Sequence, residues 1–454
     1  MEDMIKTSVI IPVYNTSVYI EECMNSVFCQ TQKEIEVIAI NDGSTDNSLE
    51  ILLRLQEKHP ELIVFTQENH GLGYVRNFGI EKARGEYIYF LDSDDYILED
   101  TLEKCYEHAS ENKLDIVLFD AFEFEDCEEK IQVKLNHSDK HKIVEERDEI
   151  FSGIYYLEKY YQSAYTPESC LMYCSSCFLK ENNIKFLTGV YFEDNEFYCR
   201  CLTLADRVMY IPRMFYQYRS RKNSITGTDF DLKKAKDHIA VVRALADLKL
   251  LKEGKGWDVV KKISFNLLQY VTNVCHENKL YDKDSQLSEQ IINIWVIICG
   301  NTIENIDSLE DITYIYKLSK CFPNTNLNEE KNLIQVKRKQ LLIQELKCLP
   351  FHRKGYQAAI YGSGEYTKKV LDIYEKWVAP IRANIIFLDS YVKNDTVQDR
   401  GYSLYPVSEI GNKKIDCIYL SSPKYEKEMG DMIRELYGDK FAVVSLFGDL
   451  HIDV

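Results

Sequence analysis

A chain of 454 residues is too long for one hydrophobic core, so two or three domains are expected. At 45% hydrophobic and 28% charged it has the composition of a soluble globular protein, and a formal charge of −18 argues against a nucleic-acid partner, because no basic face is left to neutralise phosphates. The opening MEDMIKTSVI has no basic region followed by an apolar stretch, the longest apolar run (Ile291 to Cys299) is roughly half a membrane span, and fourteen cysteines without an export signal read as reduced thiols; together they predict a cytoplasmic protein, peripheral at most at the inner membrane face.

Residues 1–225 alternate strand and helix signals. SVIIPV, IEVIAI, LIVF and YIYFLD are short β-branched or aromatic runs of strand length, and STDNSLEILLRLQEKH between two of them has a cap and leucines at helical spacing. This βαβαβ pattern predicts an α/β domain with helices on both faces of a mostly parallel sheet. From 226 to 350 the strand signal vanishes, and DLKKAKDHIAVVRALADLKLL, VVKKISFNLLQYVTNVCHEN, SEQIINIWVIIC and NEEKNLIQVKRKQLLIQELK carry apolar residues at three- and four-residue intervals, which predicts a helical linker domain. Residues 351–454 return to α/β with YQAAIY, NIIFLDS, IDCIYLSSP and FAVVSLF.

The chemistry concentrates at strand ends. YIYFLDSDD (87–95) is an apolar run that stops at carboxylates, and on an extended segment Asp92 and Asp94 would share a face. Two such carboxylates suit a hard cation, Mg²⁺ or Mn²⁺, which in turn suits a diphosphate. Pro12 is expected to end the first ladder, followed by Tyr14, whose ring could lie against a nucleobase or merely pack the turn, and by Asn15. Asp42, ending the second strand, could accept from a uracil ring N–H or cap its own helix. In ENHGLGYVRNFG (68–79), Gly73 could admit a phosphate or sugar close to the backbone and Arg76 could bind phosphate oxygens.

Taken together, SVIIPVYN, NDGSTDNS, N-x-G-x-G-x-x-RN-x-G and FLDSDD resemble, in order and spacing, the family 2 inverting glycosyltransferases, over roughly residues 7–225. The resemblance implies a GT-A nucleotide-diphospho-sugar transferase domain. It places Asp42 on the base, Asp92 and Ser93 on the sugar-nucleotide, Asp94 on the metal, and Asp95 behind the site. CSSCFLKENNIKFLTGVYFEDNEF resembles the family's acceptor-side segment, so Asp194 matches the general base, with its neighbour Glu193 the second choice. FYQYRSRKNSIT (215–226) resembles the closing segment, which implies that Arg219, Arg221 and Ser224 fold over the diphosphate. The implied donor is a nucleoside-diphosphate sugar, a UDP-sugar foremost. The implied acceptor is a glycan, glycolipid or glycoprotein.

Other signals carry less. Cys170, Cys174 and Cys177 have the spacing of a radical-SAM cluster, but the barrel strand that should precede them is missing; a zinc site would need Cys199 or Cys201 as a fourth ligand, so neither metal is expected. GSGEYTKK (362–369), with Asp389 ending the next strand, partly resembles the Rossmann dinucleotide fingerprint, yet Thr367 stands where the third glycine belongs. The last domain is similar to small Rossmann-like modules appended to sugar-processing enzymes, and a binding or self-association role, as in a homo-oligomer, is expected. Two rival functions are a sugar-phosphate nucleotidyltransferase, whose glycine-rich basic signature is absent from PVYNTSVYIEE, and a non-catalytic nucleotide-sugar-binding scaffold, against which the intact DSDD and ED motifs argue.

Overall fold

The computed structural model describes residues 4–125, 149–221, 228–248, 256–284, 286–299, 315, 331–362, 365–389, 397–399, 402–422 and 425–446. The chain divides into two compact units, Met1–Ile294 and Trp295–Val454.

The first unit is built on a mixed sheet. Strands β1 (Thr7–Val13), β2 (Ile35–Asp42), β3 (Leu62–Gln67) and β4 (Tyr87–Phe90) are parallel neighbours in the order β3-β2-β1-β4. Beyond β4 the sheet continues through strands that the sequence does not announce. These are β5 (Tyr96–Ile97), β6 (Ile116–Glu125), β7 (Ile150–Phe151), β8 (Met172–Ser175) and β9 (Val208–Ser220), in the order β4-β8-β6-β9-β5 with β7 beside β9. The short β8 runs antiparallel to both β4 and β6. The chain leaves β1 for β2 and β3 on one side and returns to β4 on the other. The carboxyl ends of β1 and β4 therefore flank a topological switch point, the place where such sheets bind ligands.

Alternation along each strand serves both faces. Val9, Ile11, Val37, Ala39 and Tyr89 join one core with helices α1 (Ile20–Phe28), α2 (Ser48–Gln56) and α4 (Thr101–Asn112). Ile10, Ile38, Ile40, Ile88 and Phe90 join the other with α3 (Leu72–Lys82), α5 (Gly153–Ala164), α6 (Ser176–Glu181) and α7 (Glu193–Leu204). Cys170 lies in the first core and Cys174 in the second, so the two do not face one pocket.

Helices α8 (Leu232–Asp247) and α9 (Trp257–Glu277) are amphipathic as predicted, but they are not a linker. Val241, Leu245, Leu248, Val259, Val260 and Ile263 are buried in the same core as Ile10 and Phe90. The break between units falls at Ile294/Trp295, within α10 (Leu287–Cys299), and not at 225 or 350. No described helix is long and apolar enough to cross a membrane.

The second unit contains α11 (Lys331–Leu346), α12 (Glu365–Trp377), α13 (Glu426–Tyr437) and a six-stranded sheet. Its strands are β10 (Gln357–Tyr361), β11 (Asn384–Asp389), β12 (Val397–Asp399), β13 (Tyr402–Pro406), β14 (Cys417–Leu420) and β15 (Val443–Ser445), in the order β12-β13-β11-β10-β14-β15. All neighbours are parallel except β12 with β13, which is a Rossmann-like arrangement. After β10, Gly362 takes φ +111°, and the buried Thr367 hydroxyl bonds its carbonyl and the hydroxyl of Ser421. Thr367 thus has a structural task at the position where the fingerprint has glycine.

Candidate active site

Strand β4 ends at Phe90, and Asp92–Asp95 form a turn closed by the Asp95 N–H donating to the Asp92 carbonyl at 3.1 Å. The expectation of an extended segment with two carboxylates on one face is corrected here. The turn sends Asp92 to Arg76 (2.8 Å) and Asp94 to Arg221 (2.6 Å), while Asp95 accepts from the Arg219 N–H (2.7 Å) and the Tyr216 hydroxyl. Asp95 is buried behind the other two, as expected. Burial, then the neighbouring Asp94 and Asp92, hold its carboxyl well above the usual range. Burial also raises Asp94, with Arg221 opposing and Asp92 adding to the rise.

Glu193 and Asp194 open helix α7, a favourable end for negative charge. The preceding Phe192 sits in the left-handed region at φ 65°, a conformation a bulky residue adopts only when its surroundings impose it. Helix α8 imposes it: Asp237 accepts from the Tyr191 N–H at 3.1 Å, and the Phe192 ring lies 3.8 Å from that of His238. One guanidinium then gathers the acids. Arg76 donates from one terminal nitrogen to Glu193 and Asp194, both at 2.9 Å, and from the other to Asp92 at 2.8 Å. The Arg76 side chain is 1% exposed, Glu193 4%, Asp194 24% and Asp92 29%, so the last two face out of the cluster. Burial raises the carboxyls of both Glu193 and Asp194. For Glu193 the charge of Asp194 adds to the rise and Arg76 opposes it; for Asp194 Arg76 opposes the rise and Asp92 adds to it.

Several predicted ligand contacts are redirected. Arg76, which the sequence allows to bind phosphate oxygens, is enclosed among the carboxylates of Asp92, Glu193 and Asp194. Gly73 is helical, and a Cβ there would come within 2.1 Å of the Leu187 carbonyl oxygen, so the glycine admits a neighbouring loop. Arg219, 9% exposed, pairs with Glu22, donates to the Asp94 carbonyl at 3.0 Å, and lies over the rings of Tyr19 and Phe124. It braces the turn, and Arg221, at 24% exposure, is the more open of the two. Asp42 is buried and accepts from Gln67 (2.8 Å) and the main-chain N–H groups of His70 (2.9 Å) and Gly71 (2.8 Å). It therefore pins the loop before α3.

Pro12 does not end the ladder, which runs on with β2 to Val13. Leu91 donates to Ile10, so even-numbered residues of β1 face β4; that pairing stops at Ile10, and the missing N–H of Pro12 has no partner to lose. Asn15 takes φ 52° and accepts from the Thr45 N–H at 2.8 Å, which locks the ends of β1 and β2 together. Tyr14 beside it is 51% exposed at the switch point. Ser93 is buried and accepts from the Thr16 hydroxyl at 3.0 Å. Ser224 lies outside the described residues. Glu22, Tyr19, Tyr216 and Asp237 were not anticipated: each acts through a partner far along the chain and no local motif marks it.

The oxygen donors at this turn fit a hard divalent cation. Among the described residues no three His, Cys, Asp or Glu side chains form a ready-made cage. A cation bound together with a diphosphate needs only one or two protein carboxylates.

The sequence profile of Glycosyl transferase family 2 matches residues 8–181. Glycosyltransferase GlyG of Streptococcus pneumoniae serotype 4 is 32% identical over 283 residues, which cover 61% of this chain and 91% of GlyG. Glycosyltransferase GlyA of the same organism is 31% identical over 221 residues, 49% of this chain, and the match spans only 31% of GlyA. A crystal structure of residues 1–349 of S. aureus TarS in complex with UDP-GlcNAc aligns at TM-score 0.48 and 21% identity, covering 74% of this chain and 90% of that one.

Proposed function

The chain belongs to glycosyltransferase family 2, and on that premise we propose that it is an inverting, metal-dependent enzyme moving a sugar from a nucleoside-diphosphate donor, a UDP-sugar, to a glycan, lipid-linked or protein-linked acceptor. One observation carries the reading. The turn after β4 and the start of α7, over a hundred residues apart in sequence, present Asp92 and Asp194 on the same guanidinium beside the switch point.

Asp194 gives Oδ1 to Arg76 and keeps Oδ2 outside that contact, on a side chain open enough to reach an acceptor hydroxyl. It takes the hydroxyl proton as the oxygen attacks the anomeric carbon. Asp92, similarly placed, accepts from the donor sugar. The leaving diphosphate develops the largest charge of the reaction, and Arg221, partly exposed on Asp94, supplies a cation to meet it. Mn²⁺ or Mg²⁺ held by Asp94 would neutralise part of that charge when bound. A single displacement inverts the anomeric centre, so one base suffices. Tyr14 is the exposed ring that could meet the base of the nucleotide.

The test is a hydrolysis screen of UDP-, GDP- and dTDP-sugars with the full chain, with and without Mn²⁺. Mn²⁺-stimulated release of UDP from at least one donor is expected. Binding of nucleotide sugars without turnover of any would leave a scaffold instead.

A further inference from the structure

We propose that Arg76 is a positioning residue that sets the donor-side Asp92 against the acceptor-side Asp194, so that the two halves of the site are held in register by one rigid plane. The inference rests on the glycosyltransferase reading for its catalytic consequence. Helix α3 is fixed on both sides of Arg76: a Cβ at Gly73 would collide with the Leu187 carbonyl, and one at Gly79 would come within 2.4 Å of Ile10. Next to Arg76, Asn77 donates to the Phe186 carbonyl at 2.9 Å and accepts from the Phe186 N–H at 2.8 Å. The Phe186 ring lies 5.2 Å from the Arg76 guanidinium and stacks at 3.7 Å on Phe197 of α7. Adjacent residues of α3 therefore grip the acceptor-side segment twice, through its backbone by Asn77 and through its carboxylates by Arg76.

A guanidinium is planar and always charged, so carboxylates bonded to its two ends have a fixed separation; an ammonium on a flexible stem cannot reproduce this. In-line transfer needs donor carbon and acceptor oxygen roughly 3–3.5 Å apart, and an error of about 1 Å can lower turnover about a hundredfold. With one oxygen of each carboxylate on Arg76, the other oxygen of each has a defined direction.

Arg76→Lys and Arg76→Gln in the full chain test this. UDP binding with Mn²⁺ is measured by calorimetry, and kcat and KM for hydrolysis with UDP-glucose, UDP-galactose and UDP-N-acetylglucosamine. The expected result for both variants is a kcat lowered about a hundredfold or more, with Kd and donor KM changed by less than about fivefold. An active wild type beside an Arg76→Lys chain of equal kcat would overturn the assignment alone. A wild type that turns over no donor would overturn the functional reading. In that event, or if neither Arg76 variant folds, melting temperatures of Asp92→Asn, Asp194→Asn and the double variant read the same link. Non-additive shifts are expected, and additive shifts would show that Arg76 does not couple the two acids.

Discussion

Arg219 and Arg221 are two residues apart and look interchangeable in sequence, yet their surroundings give them different work. Arg219 is buried against Glu22, the Asp94 carbonyl and two rings, whereas Arg221 pairs with the Asp94 carboxylate and lies over the ring of Tyr19, and its side chain is the more exposed. Arg221→Ala should weaken binding of UDP by about 1.5–3 kcal/mol, leave uridine binding nearly unchanged, and barely move the melting temperature. Arg219→Ala should lower the melting temperature clearly; equal melting of the two variants would contradict the division. Asp120 offers a pH signature away from the site. Burial raises its carboxyl to about 6, with the Tyr210 hydroxyl bond pulling the other way. The folded state then holds this proton more tightly than the unfolded chain does. Its contribution to stability is complete below about pH 4 and is lost as pH rises through 6, to a limit of about 3 kcal/mol. Asp120→Asn should therefore gain stability over wild type between pH 5 and 7 in denaturant titrations, and a constant difference across that range would refute the account. At this scale the sequence identifies which residues gather at the strand ends. It does not identify who satisfies whom: that Arg76 serves carboxylates becomes visible only when α7, 117 residues on, closes over it.

Helix α3 shows what an element adds to its residues. Gly79 lets it lie so close to β1 that an added methyl would overlap Ile10, and Arg76 and Asn77 are delivered by the same close approach. Gly79→Ala should destabilise by about 1–3 kcal/mol through overpacking, and should lower turnover more than UDP binding, because the acceptor-side segment moves with the helix. Unchanged turnover in a destabilised Gly79→Ala protein would separate packing from positioning. Periodicity found the helices well, since α2, α8, α9, α10 and α11 coincide with predicted apolar stripes. It failed at β8, whose four residues are too few to show a period. At Asp92–Asp95 an apolar run with acids behind it reads as one strand, but the acids form a turn because each finds a different cation or hydroxyl.

The molecule as a whole is cut at a different place from its sequence signals. Loss of strand patterning after residue 225 suggests a domain end, yet α8 and α9 complete the core and, through Asp237 and His238, hold Phe192 in the conformation that starts α7. Composition could not reveal this, because a helix packed on a sheet face and a helix in a linker bundle share one periodicity. A fragment ending at residue 225 should expose the partners of six buried apolar side chains, at about 1.5–3 kcal/mol each, which matches or exceeds the usual net stability of a domain. It should be insoluble or fail to melt cooperatively. A fragment ending at Ile294 keeps the whole first unit and every described residue of the candidate site. It should melt as one unit, bind UDP with Mn²⁺ within about threefold of the full chain, and release UDP from the same donor. The second unit, with its own mostly parallel sheet, should then matter for acceptor transfer or self-association, which sedimentation and transfer assays would register. If residues 1–225 alone folded and bound UDP as the longer fragment does, α8 and α9 would be the dispensable linker their pattern suggests. If residues 1–294 folded but released UDP from no donor that the full chain uses, the second unit would be part of the catalytic machinery and the division of labour would be wrong.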